Sequence, residues 1–160
     1  MEVINLASCA LQGCEYEISK ITDKIYLTGL EGSLRYDVLK QLGIEHIVSI
    51  GCGPIHRAKR CSIPVSFIYI DDLPDVKISP YFDYIYERTK GKVTLFHCAM
   101  GISRSATMVI ACMMNDYNFN LTGIYNYVKQ RRPYIRPNPG FYKQLQLYQL
   151  RKVKESILNQ

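Results

Sequence analysis

Short apolar runs closed by turn residues alternate along this 160-residue chain with longer segments of three-to-four periodicity. The first apolar run, Ile21 to Leu27, predicts a strand closed by Thr28-Gly29. Ser33 has the position of an N-cap for a helix through Leu42, with Leu34, Val38 and Leu42 on one face and Gly43 as its stop. Ile47 to Ile50 predicts a short buried strand ended by Gly51-Cys52-Gly53-Pro54, and the basic stretch His56 to Arg60 a surface loop. Val65 to Ile70 is another strand, running directly into Asp71-Asp72-Leu73-Pro74-Asp75 at the rim of the sheet.

The same alternation continues to the C-terminus. Ser79-Pro80 starts a helix with an N-cap and a first-turn proline, and Gly91 stops it. Val93 to Phe96 is a strand, and Ala106 to Met114 a buried helix. Leu121, Ile124 and Val128 mark a helix from Leu121 to about Gln130. Arg131 to Gly140 is too rich in proline to be helical. Phe141 to Ile157 is a last amphipathic helix using Leu145, Tyr148 and Val153. Leu6 to Leu11 has the composition of a short helical turn. Strands alternating with helices predict one α/β domain in three layers, with a central, mainly parallel sheet flanked by helices.

Composition narrows the class. With 48% apolar and 21% charged residues the chain is ordinary for a globular domain. No apolar run approaches the roughly 20 residues that span a bilayer. The N-terminus lacks the pattern of a secretory signal, and Glu2 excludes N-myristoylation. A cytoplasmic location, with the nucleus as an alternative, is the expectation. The net charge of +6 favours phosphorylated or acidic partners. No nucleic-acid module accompanies it, so no obligatory nucleic acid is expected. Six cysteines, Cys9, Cys14, Cys52, Cys61, Cys98 and Cys112, are expected to be free thiols. No C-x2-C pair occurs, and His46, His56 and His97 are not spaced as ligands, so neither a metal nor another cofactor is expected. Oligomeric state has no marker in the sequence.

The stretch Val93 to Ser105 carries the chemistry. A strand leads into His97-Cys98, then a loop of small residues with Gly101 at its centre, then Arg104-Ser105 and a helix. Strand, small-residue loop and helix N-terminus together point backbone N–H groups at an anion. An arginine six residues after a cysteine occurs by chance for about one cysteine in twenty at ordinary residue usage. His97, Gly101 and Ser105 around it reduce the coincidence to about one in thousands. The arrangement fits a thiolate attacking a phosphate monoester in line to form a phosphocysteine. In that scheme Arg104 holds two phosphoryl oxygens bidentately, and the amides of Ala99, Met100, Gly101, Ile102, Ser103 and Arg104 supply further donors. Gly101 lets the backbone approach the phosphate. Ser105 donates to the thiolate when it leaves, and His97 orients the cysteine backbone. The departing oxygen also needs a proton donor. Asp71, Asp72 and Asp75 are candidates that charge and position do not separate.

His97-Cys98-(x)5-Arg104-Ser105 resembles the signature of the protein tyrosine phosphatase superfamily. The Ser-Arg-Ser ending and short single domain look like its atypical dual-specificity phosphatases. Ile25-Tyr26-Leu27, Pro80-Tyr81-Phe82-Asp83, Ser103 to Thr107, and Arg132 to Phe141 match the same group, and the similarity runs from about Ile21 to about Leu150. The resemblance implies the protein tyrosine phosphatase-like fold. It places the general acid on Asp72 and the asparagine that braces the phosphate loop on Asn138. Arg132 falls where some members carry a second anion-binding arginine. The segment from Asp72 to Cys98 is shorter than usual for the group, so the helix from Ser79 is expected to be truncated. Ala99 and Met100 stand where some relatives carry charged residues.

The implied function is hydrolysis of phosphotyrosine and phosphoserine or phosphothreonine in proteins, with phosphorylated proteins as partners. The implied domain covers 20–160, with 1–19 as an N-terminal segment. Two alternatives accompany it. One is a phosphatase of a phosphoinositide, an RNA 5′ end or a glycan, families that often carry basic residues inside the loop. The other is a phosphoprotein-binding module without catalysis, of the kind that typically lacks the nucleophile or the acid.

Overall fold

A computed structural model describes residues 13–118 and 120–160. The proposed turn at Leu6 to Leu11 lies outside them. Strands β1 (Ser19–Lys20), β2 (Ile25–Thr28), β3 (His46–Ile50), β4 (Val65–Ile68) and β5 (Thr94–His97) form one sheet in the order β1-β2-β5-β3-β4. β2, β5, β3 and β4 are mutually parallel, and β1 pairs antiparallel with β2 at the edge. The helices are α1 (Leu30–Ser33), α2 (Tyr36–Gln41), α3 (Ile55–Ala58), α4 (Phe82–Thr89), α5 (Arg104–Asp116), α6 (Leu121–Arg131) and α7 (Pro139–Leu158).

β5 lies at the centre of the sheet and is buried on both sides, Leu95 and Phe96 facing opposite layers, because both faces are covered. One face packs Leu27, Val48, Ile50 and Phe96 against Phe82, Ile85, Val109 and Leu145. The other packs Tyr26, Ile47 and Leu95 against Leu39 and Ile63. The three layers expected from the alternation are therefore present. None of the helices among the described residues is long and apolar enough to cross a membrane.

Several local readings change. The single strand from Ile21 to Leu27 is a hairpin instead. The Thr22 hydroxyl accepts from the Lys24 N–H, and Ile21 N–H bonds the Ile25 carbonyl, which folds the run back on itself. Ser33 does not start a helix but ends α1, its hydroxyl donating to the Leu30 carbonyl at 2.6 Å. His56 is not on a surface loop. It sits in α3 and is fully buried. Val153 on α7 is 51% exposed, and the buried side of that helix is Phe141, Gln144, Leu145 and Tyr148.

Ser79-Pro80 begins a 3-10 turn, Ser79–Tyr81, without a side-chain cap, and the α-helix after it is short, Phe82 to Thr89. The missing cap comes from far along the chain. The Gln144 side-chain oxygen accepts from the N–H groups of Ile78 and Ser79, and its amide donates to the Val76 carbonyl. α7 thus holds the start of the helix that follows the acidic loop.

Gln144→Ala should leave these buried amides unpaired and cost about 1–3 kcal/mol in urea unfolding. Exposed Gln146→Ala, one turn face away, should stay within about 0.5 kcal/mol of the parent.

Candidate active site

All four parallel strands deliver their C-terminal ends to one edge, where an open α/β sheet binds ligands. Each contributes a loop. Gly29-Leu30 follows β2, Gly51 to Gly53 follow β3, Tyr69 to Pro74 follow β4, and Cys98 to Ser103 follow β5.

The loop after β5 is organised by its carbonyl oxygens. The Cys98 carbonyl faces His97 Nδ1 at 3.2 Å, and Ala99 O accepts from Leu30 N–H at 2.8 Å. Met100 O and Gly101 O accept from the Arg132 guanidinium at 3.1 and 2.8 Å. Ile102 O accepts from Arg136 N–H at 2.7 Å, and Ser103 O from the Thr107 hydroxyl and N–H. Six consecutive carbonyls are therefore bonded to surrounding structure. Among the described residues only the Gly101 amide of this loop finds a protein acceptor, the Cys98 sulfur at 3.3 Å. Such a loop presents N–H groups toward its own centre. Gly101 has φ +66°, and a Cβ there would lie 2.5 Å from the Thr28 carbonyl and 2.6 Å from the Arg132 guanidinium. The glycine is required by packing behind the loop as well as by the turn.

Cys98 is 3% exposed at the base of this cradle, with the Ser105 hydroxyl 3.1 Å from its sulfur. Arg104 begins α5 and curls back over the loop. Its Nη1 donates to Ile70 O at 3.2 Å and Gly51 O at 3.4 Å. Its Nε is buried and has no hydrogen-bond partner among the described residues. A Cβ on Gly51, which has φ +73°, would sit 2.0 Å from Arg104 Nη1. The glycine that ends β3 therefore makes the space in which the guanidinium lies.

The structure separates the three aspartates. Asp72 Oδ1 accepts from the Ser103 hydroxyl and from Asn138 Nδ2, both at 2.8 Å, and the Asn138 N–H donates to Ser103 Oγ at 2.9 Å. Asp72 is exposed and tied to the loop through Ser103, and its second carboxylate oxygen makes no hydrogen bond among the described residues. Asp71 and Asp75 make no comparable contact among the described residues. Asn138 also caps α7, accepting from Phe141 N–H. Beside it, Gly140 lies against the acid loop so closely that a Cβ would meet the Pro74 carbonyl oxygen at 1.8 Å.

Arg132 stands apart from the second anion-binding role that the resemblance suggests. It is fully buried, and its five N–H donors meet five acceptors: the carbonyls of Gly101, Met100, Cys14 and Glu17 and the Ser19 hydroxyl. Burial works against the charged guanidinium, and this complete set of partners offsets it. Arg132 joins the back of the loop to the segment that precedes β1, whose Glu17 carbonyl also accepts from Thr28.

Behind His97 lies a contact that the sequence reading missed. His56 Nε2 is 2.7 Å from His97 Nε2, and His56 Nδ1 is 2.9 Å from the Tyr36 hydroxyl. Burial, then the neighbouring His56, pushes His97 down to about 3, against the opposing pull of the Cys98 carbonyl. Burial pushes His56 down to about 4 and Tyr36 up to about 12. Gly51 was legible only as a turn residue, Ser103 only through its backbone amide and not its hydroxyl, and His56 as one member of a basic stretch.

With this geometry described, comparison with known proteins decides the family. A family model for the dual specificity phosphatase catalytic domain matches residues 25–151. The chain belongs to the dual specificity phosphatase family. That places it among the cysteine-dependent protein phosphatases. Mouse dual specificity protein phosphatase 14 is 35% identical over 133 residues, covering 80% of this chain and 67% of that protein. Its human counterpart is 48% identical over 79 residues, 46% of this chain and 40% of that protein. The solved human tyrosine phosphatase-like serine/threonine/tyrosine-interacting protein superposes with a TM-score of 0.77 at 28% identity, over 86% of this chain and 99% of that one.

His56 and His97, like the buried His46 whose pKa burial also lowers, give the fold a pH dependence. Both have folded-state values below the roughly 6.5 of an unfolded histidine. Their contribution to stability is fully present above that value and is lost as pH falls toward about 4. Urea midpoints should fall between pH 7 and pH 4.5, and fall less in His56→Gln, which has no proton to gain there.

Proposed function

We propose that residues 20–160 form a phosphatase domain that hydrolyses phosphate monoesters on protein tyrosine and on serine or threonine through a phosphocysteine at Cys98. The observation that carries this reading is the combination at the loop. Six carbonyls are bonded away from it, a thiol stands at its base, and a buried guanidinium Nε lacks an acceptor. A buried unpaired donor is costly in a folded protein unless a ligand completes it. A phosphoryl dianion fits, with its oxygens on the loop amides and on Arg104.

In the first step the Cys98 thiolate attacks phosphorus, the P–O ester bond breaks, and the Asp72 carboxyl gives its proton to the leaving oxygen. In the second, water attacks the phosphocysteine and gives a proton to the Asp72 carboxylate, and the P–S bond breaks to release inorganic phosphate. The Ser105 hydroxyl, 3.1 Å from the sulfur, donates to the departing thiolate. His97, Asn138 and Arg132 hold the loop and the acid in place. The loop side chains Ala99, Met100 and Ile102 are uncharged, and Met100 is 37% exposed. That favours a phosphorylated side chain in a protein over a polyanionic substrate, whose extra phosphates would call for cations there.

Cys98→Ser should abolish turnover of phosphopeptides. Asp72→Asn should slow it by about 10²–10⁴-fold, and by less for an activated aryl phosphate whose leaving group needs no proton. Near-parental turnover by the Cys98 variant would overturn the mechanism. Faster release of phosphate from phosphoinositides or an RNA 5′ end than from phosphopeptides, in the same assay, would overturn the substrate class.

A further inference from the structure

Behind the loop, His97 continues into a polar cluster whose other members, the buried His56 and the half-buried Tyr36, touch neither substrate nor loop. The contacts run from the Tyr36 hydroxyl to His56 Nδ1 at 2.9 Å, from His56 Nε2 to His97 Nε2 at 2.7 Å, and from His97 Nδ1 to the Cys98 carbonyl at 3.2 Å. His56 and His97 are both fully buried. Their rings meet edge-on, with centroids 4.8 Å apart. Phe67 and Tyr36 flank the His56 ring.

The carbonyl at the end decides every proton in the series. An oxygen of this kind only accepts, so His97 Nδ1 carries the hydrogen. A neutral imidazole has one N–H, so His97 Nε2 is a bare acceptor and His56 Nε2 carries the hydrogen between them. His56 Nδ1 is then bare, and the Tyr36 hydroxyl donates to it. The reverse assignment would set the lone pair of His97 Nδ1 against the lone pairs of the Cys98 oxygen.

We infer that His56, seated by Tyr36, is a positioning residue that fixes His97 as its Nδ1–H tautomer and thereby sets the Cys98–Ala99 peptide plane of the phosphate loop. The C=O and N–H of a trans peptide point in opposite directions. Holding the Cys98 carbonyl at His97 therefore turns the Ala99 N–H away from the histidines. His56 acts on the reaction through two bonds and never touches substrate. It is also the partner that a lone His97, buried without one, would lack. The inference rests on the reading of Cys98 as nucleophile only for its kinetic consequence. The tautomer itself follows from the contacts alone.

The test is long-range ¹H–¹⁵N NMR of the histidine side chains in the full chain at pH 7, together with single-turnover kinetics on a phosphotyrosine peptide. In the parent, His97 should show a protonated Nδ1 and a bare Nε2, and His56 the opposite pattern. His56→Phe keeps the ring packing but removes the donor. It should bring His97 into exchange between tautomers and slow phosphocysteine formation about 10–100-fold, with KM changed much less. His56→Gln, which can still donate to His97 Nε2, should restore both. Tyr36→Phe, a milder change, should weaken the His97 preference without abolishing it. A protonated Nε2 on His97 in the parent would overturn the inference, as would a His56→Phe protein with parental tautomer and parental rate. If Cys98→Ser retains turnover while the tautomers are as stated, the nucleophile assignment fails and the assignment of protons stands.

Discussion

The loop after β5 depends on where its carbonyl oxygens go. A six-residue turn that gathers N–H groups around one point must send its C=O groups outward, and each of those needs a donor in a buried setting. Here the donors come from all around the fold: His97 at the strand end, Leu30 after β2, Arg132 after α6, Arg136 in the proline-rich loop and Thr107 in α5. Remove these partners and the amides have no reason to converge. The cradle is therefore a property of the whole domain, and the sheet order, with β5 at the centre, brings the donors within reach.

Asp72 is placed by a second set of bonds that shares members with the first. Asp72 is held by Ser103, inside the loop, and by Asn138, which caps α7. Gly140, the second residue of that helix, is pressed against the Pro74 carbonyl just beyond Asp72. From the same helix Gln144 anchors the 3-10 turn that follows the acidic loop. The segment from Asp72 to Ser79 is thus fixed by α7 and its cap. An exposed carboxylate is kept in register with a buried thiol without being buried itself.

Much of this could be read from the chain because local rules and the tertiary fold agree. The alternation of apolar runs with helical periodicity yields the layers, and Gly43 and Gly91 end helices where positive φ is needed. The run His97-Cys98 to Arg104-Ser105 shows its chemistry by spacing. What stayed hidden depends on contacts distant in sequence. Ser33 has the composition of a cap, yet its hydroxyl finds the Leu30 carbonyl first. Arg132 is a charged residue whose five acceptors lie in residues 14–19 and in the loop after β5, so its burial has no mark in its own neighbourhood. His56 opens a stretch with Arg57, Lys59 and Arg60 and reads as solvated, although it is buried in α3 against His97. The identity of the acid was open on charge and position alone and became assignable only through resemblance. The structure adds the reason that Asp72 differs from Asp71 and Asp75, namely its bond to a loop serine.

The central claim is that this thiol, in this cradle, becomes covalently phosphorylated. Rapid quenching of the enzyme with excess phosphotyrosine peptide at acid pH, followed by peptide mass mapping, tests it most directly. A phosphoryl group should appear on the peptide containing Cys98 within one turnover, be absent from Cys98→Ser, and persist longer in Ser105→Ala, where the departing thiolate lacks its hydroxyl partner. Release of phosphate with no labelled Cys98 at any quench time, in an enzyme that still turns over, would contradict the account.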